Sequence, residues 1–153
     1  LQLPDDFASA FESAFARLQI RVETACAAEA DWPGQVAAAI RAALAFAAFD
    51  TDSASALTSE VLANGRAGYA RYDRMLAHFG EQLRPGRVLR SEGEWLPEIT
   101  EKAMVGGLVT LIAQRLDTGR AAELPTLGAE AIQFVLTPYL GVEEARRVAL
   151  AGG

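Results

Sequence analysis

The chain has 153 residues, the size of a single domain able to bury roughly 70% of its unfolded surface. It is 51% hydrophobic with few β-branched runs, which points to an all-helical protein, and its net charge of −6 argues against direct nucleic-acid binding through a basic face. One cysteine, Cys26, excludes an internal disulfide and fits a reducing cytosol; no apolar stretch reaches the ~20 residues of a membrane span, and no signal peptide is visible.

Leu1 to Pro4 read as a lead-in, with Asp5 or Asp6 capping a helix that runs to about Glu29. Phe7, Phe11, Phe15, Leu18, Val22 and Ala25 recur at spacings of three and four, an amphipathic stripe. Cys26 lies near its end and reads as a small buried hydrophobe. Asp31 caps a second helix, roughly Pro33 to Phe49, in which Arg41 is the single charge. Val36, Ile40, Leu44 and Ala47 form its packing stripe, and its alanines permit close helix approach. Asp50 to Ser53 form a cap cluster for a short helix, about Ser53 to Ala63, closed by Asn64-Gly65 in left-handed geometry. A longer helix follows, about Arg66 to Leu83, with Tyr69, Tyr72, Leu76, Phe79 and Leu83 on its inner face and Met75 and His78 beside them. Pro85-Gly86 ends it. Arg84, Arg87 and Arg90 then form a cluster that could meet an anionic ligand but reads first as solvated loop arginines.

The stretch from Trp95 to Gly141 organises the chain. Leu96-Pro97 suits a helix start, and Glu98 and Glu101 put negative charge near the positive end of its dipole. From Ala103 to Ala113 there is no charge at all. Ile99, Ala103, Gly107 and Leu111 lie on one side, and Val105, Leu108, Val109, Ile112 and Leu116 fill another. A helix apolar on two sides buries one in its own core and one against something else. Gly106-Gly107 in mid-helix costs roughly 1 kcal/mol per glycine relative to alanine, a cost understandable where another backbone comes close. A second helix, about Pro125 to Thr137, repeats the pattern and is expected to stop at Pro138. Two such helices can pair with their copies across a two-fold axis. The candidate interface residues are Val105, Gly106, Gly107, Leu108, Val109, Ile112 and Leu116 on the first, and Leu127, Gly128, Ala131, Ile132 and Val135 on the second. The plainer alternative is a central core helix in a monomer. A short terminal helix from Gly141, with Glu143 and Glu144 in its first turn, closes the chain.

Catalytic constellations are missing. One histidine and one cysteine make no metal cluster of recognisable spacing, no glycine-rich phosphate loop follows a strand, and there is no nucleophile elbow. The expectation is therefore no enzyme, no catalytic residue, no metal and no cofactor. What remains is a surplus of aromatic and sulfur side chains from segments that must pack together. Candidate ligand-binding residues are Phe46, Phe49, Tyr69, Tyr72, Met75, His78, Phe79, Trp95 and Met104, since bundle pockets are mostly apolar with a few oriented polar groups.

These residues carry a resemblance. The layout W-P-x-x-V-x-x-A-I-x-A-x-L-x-F from Trp32, the segment DTDSASALTSE, the block LPEITEKAMVGG and the Pro-Tyr-Leu-Gly at Pro138 to Gly141 resemble the C-terminal half of TetR/AcrR-type transcriptional regulators. The likeness is moderately specific over Trp95 to Ala145 and loose before that. It implies an all-α antiparallel bundle of about seven helices spanning residues 1–153 as one ligand-binding and dimerisation domain. It also implies a homodimer formed through Pro97–Thr118 and Pro125–Thr137, and a small apolar or amphipathic effector. The helix-turn-helix that such regulators carry is not matched here. DNA would be contacted only through an N-terminal domain outside this chain, with Leu1–Glu29 as the linking helix, in a cytoplasmic repressor without a membrane partner. Two rivals stand beside this expectation: a helical adaptor domain with no ligand, and a small enzyme using Tyr and His in a pocket.

Overall fold

The computed structural model describes residues 3–90 and 95–152, and among these the chain forms seven α-helices and no strand, an all-α bundle. Helix α1 (Leu3–Ala27) starts before Asp5 and Asp6, which therefore lie in its first turn and not ahead of it. Its stripe builds an aromatic ladder, with Phe7, Phe11 and Phe15 ring centroids 6.5 and 6.0 Å apart. Helix α2 (Trp32–Phe49) begins where the Asp31 carboxylate accepts from the Gly34 N–H at 2.9 Å, a cap of about 1 kcal/mol.

Asp50 then caps α3 (Thr51–Ser55), accepting from the Ser53 N–H at 3.2 Å, and Arg17 of α1 ties the corner by donating to Asp50 at 2.6 Å. The same helical run continues as a wide turn, Ala56–Glu60. The chain reverses at Gly65, whose φ of +67° is the left-handed geometry expected there. Helix α4 (Gly65–Leu83) passes into a tight helical turn, Arg84–Leu89.

Helix α5 spans Thr100–Asp117, three residues later than the proline signal suggests. The reason is tertiary. The Arg87 guanidinium donates to the carbonyls of Leu96 and Pro97 at 2.8 and 2.7 Å, and so holds that segment as a strap. A tight turn, Ala121–Leu127, precedes α6 (Gly128–Leu140), and α7 (Val142–Ala151) closes the chain. The expected stop at Pro138 is corrected: α6 runs through it, because a proline in the last turn forfeits one hydrogen bond only. Gly141, at φ +85°, makes the actual stop.

Two apolar clusters hold the bundle. The larger joins α2, α5, α6 and α7 through Ile40, Leu44, Val105, Ile132, Val135, Ala145 and Ala149. The smaller joins α1, α2 and α4 through Phe11, Phe15, Phe46, Leu57, Val61 and Met75. Helix α2 runs between them, in contact with α1 and α6. By length and composition α2 is also the one described helix that could cross a bilayer. Its single charge, Arg41, donates to the Ala149 carbonyl at 2.8 Å, at the negative end of the α7 dipole.

Candidate functional site

Small residues at one face of a helix leave space whenever their neighbours cannot close in. Ala39, Ala43 and Ala47 of α2 form such a face, and opposite them the structure contains a cavity of about 570 Å³. That volume is within the range of sites that take drug-sized molecules. Leu18, Val22 and Cys26 of α1 line it at i, i+4, i+8, as do Met75, Phe79 and Leu83 of α4; Leu108, Val109 and Ile112 of α5 complete the wall. Four wall residues are exposed, Glu23, Ala27, Gln82 and Pro85, and they place the mouth at the C-terminal ends of α1 and α4.

Polar groups are sparse inside. The Thr58 hydroxyl is buried and donates to the Ala54 carbonyl at 2.9 Å. Near the mouth, the Cys26 thiol contacts the Gln35 carbonyl at 3.5 Å; burial first, and then the Glu23 charge, push its pKa up. A thiol so disposed is a poor nucleophile. Trp32 lies edge-on to Tyr139 at 5.3 Å, and its indole N–H donates to the Gln82 carbonyl at 3.2 Å. Only glycine fits beneath that ring: a Cβ at Gly86 would stand 2.3 Å from the indole.

Of the nine candidate ligand-binding residues, Phe46, Met75 and Phe79 are brought together in this wall. The structure places the other six outside it. Phe49, Tyr69 and Trp95 are 84%, 59% and 75% exposed and away from the cavity. Tyr69 projects roughly 120° around α4 from Met75, because each residue advances about 100°. Tyr72 packs between the two clusters, and Met104 packs on the larger one. His78 is held edge-on by Phe15 at 5.5 Å and Phe79 at 5.1 Å, with Gln19 at 3.1 Å from its Nε2. Phe46 also backs a second, smaller pocket of about 210 Å³, shared with Phe49, Arg17 and Arg21.

The candidate interface residues are redistributed as well. Val105, Gly128, Ala131, Ile132 and Val135 are buried in the chain's own core, and the half-buried Leu116 and Leu127 pack against it. The Gly128 notch receives Arg41 of the same chain, whose Nη1 lies 2.9 Å from where a Cβ would stand. Leu108, Val109 and Ile112 turn to the cavity, and Gly106 is half-buried over Leu76. Gly107 alone of the twelve is exposed. It adjoins the half-exposed Phe134 of α6, with Ala103 and Thr110 beside it on α5.

The loop arginines have a different role from the expected one. Arg87 forms a two-pronged pair with the buried Glu101, both contacts at 2.8 Å, and Arg84 turns to Glu98 at 3.4 Å. Among the described residues no group of three or more His, Cys, Asp or Glu is arranged to hold a metal ion. The alanine face of α2 and the wall residues of α1 escaped sequence reasoning, although their spacing was visible as packing stripes. No family model, no curated protein and no solved structure matches the chain.

Proposed function

We propose that this chain is the sensing and homodimerisation domain of a cytoplasmic regulator of the TetR/AcrR type, a repressor released from DNA by a small apolar or amphipathic effector. The observation that carries this reading is the 570 Å³ cavity with a nearly continuous apolar wall and a polar mouth. Such a shape binds by burying the apolar body of a ligand and orienting it through a few polar groups. Leu18, Val22 and Cys26 make the wall partly out of α1, the helix that would lead to a DNA-reading head, so occupancy would bias where that helix lies. Dimerisation is assigned to the exposed Ala103–Gly107–Phe134 surface of α5 and α6.

The test is a titration with N-phenylnaphthylamine, whose fluorescence rises in apolar surroundings, combined with light scattering. Saturable binding at one site per chain in a dimer supports the reading. A chain that takes up no dye and runs as a monomer overturns it. A dimer, or a complex with another protein, that takes up no dye favours the adaptor reading, to which the exposed Phe134, Ile99 and Val142 lend support.

A further inference from the structure

We infer that the cavity selects a lipophilic cation, an amine or quaternary ammonium whose apolar body fills the interior and whose head sits at the mouth between Glu23 and Trp32. The inference rests on the reading of the cavity as a ligand site and adds the charge of the ligand to it. Glu23 is the one charged residue in the wall, and among the described residues the wall contains no lysine or arginine. Glu23 is exposed at the mouth and forms no ion pair among the described residues, so its charge is available to a guest.

The positive charges nearby are committed elsewhere. Arg84 and Arg87 flank the wall residue Pro85, and both are turned onto Glu98 and Glu101. Arg21, two residues before Glu23, lines the smaller pocket and not the cavity. An anionic head would therefore lose hydration beside a carboxylate and find no compensating partner. A cationic head finds the Glu23 carboxylate and the indole of Trp32, whose ring is held by its hydrogen bond to the Gln82 carbonyl.

The experiment is calorimetric titration of the chain with three probes sharing one tail, decyltrimethylammonium, decanol and decanoate, each kept below micelle formation. The cation is expected to bind about tenfold more tightly than decanol, and decanoate more weakly than either. Glu23→Gln should bring the cation to the level of decanol and leave decanol unchanged. Glu23→Lys should invert the order in favour of decanoate. Equal binding of cation and decanol to the unaltered chain, tighter binding of decanoate, or a preference that survives Glu23→Gln, would overturn cation selection while leaving the ligand-site reading in place. Binding of none of the three probes overturns both. The comparison on the unaltered chain decides the matter even if a Glu23 variant folds poorly.

Discussion

The Tyr139 hydroxyl donates to Oε2 of Glu101 at 2.8 Å inside the bundle, on a carboxylate that is 3% exposed. The same carboxylate receives Arg87, so Glu101 joins the strap before α5 to the last turns of α6. Removing one partner of a buried charge pair costs more than the pair itself contributes. Glu101→Ala should lower unfolding free energy by about 3 kcal/mol, and Tyr139→Phe by about 1 kcal/mol, because Arg87 still satisfies the carboxylate. Urea denaturation followed by circular dichroism measures both; equal losses would mean that the tyrosine, and not the arginine, holds Glu101.

The pH dependence follows from the same group. Burial pushes the Glu101 carboxyl up, but hydrogen bonds from Arg87 and Tyr139 outweigh it, and the net shift is below the ordinary 4.5. A carboxyl depressed on folding contributes stability that is present above 4.5 and is lost as pH falls through its folded value. Tyr139 shifts the other way, raised by burial and then by its bond to Glu101. Its contribution is intact below the ordinary value of 10 and declines as pH rises beyond it. Melting temperature should therefore be flat near neutrality and fall on both sides. In Tyr139→Phe the alkaline fall should shrink while the acid fall persists.

Gly68 is a packing requirement and not a flexible point. A Cβ there would stand 2.0 Å from the Val61 carbonyl oxygen, a backbone atom that cannot turn aside. Gly68→Ala should destabilise by about 2 kcal/mol, as overpacking does. The contrasting change is Gly86→Ala, where the obstacle is the Trp32 ring. That variant should shift the tryptophan emission and weaken dye binding, with a smaller loss of melting temperature than Gly68→Ala.

Filling the cavity should separate binding from folding. Ala43 lies in the wall on α2, with open volume ahead of its methyl group. Ala43→Phe should reduce N-phenylnaphthylamine affinity by at least about tenfold while leaving the melting temperature equal or higher. Undiminished binding would place the dye somewhere other than this cavity.

The two sides of α5 and α6 should respond oppositely to charge. Gly107 is exposed and meets only the Phe134 ring, with a would-be Cβ at 3.3 Å. Gly107→Arg is expected to give a folded monomer by light scattering and circular dichroism. Val135 is fully buried, and Val135→Asp should unfold the chain, since an unpaired carboxylate would sit in the core. A dimer that tolerates Gly107→Arg would move the interface off this surface.

The helices were legible because their causes are local. Phe11, Phe15, Leu18 and Val22 repeat at the helical period, and Asp31 caps its own helix within three residues. Gly65 and Gly141 reverse the chain where a side chain would be strained. At the start of α5 a distant group intervened: Arg87 took the carbonyls of Leu96 and Pro97 and delayed the helix to Thr100.

The sequence by itself determined the all-α class, the rough extent of each helix, and the surplus of apolar faces in α2, α5 and α6. Only the tertiary structure decided what each face meets. Ala43 and Ala47 read as contacts for a close neighbour, yet they border open volume; Gly128 reads as a notch for a partner, yet it holds Arg41. Helix formation depends on residues three and four apart, whereas a cavity is the volume left over when helices from across the chain fail to meet. That remainder depends on interhelical distances, and these are set by many side chains at once.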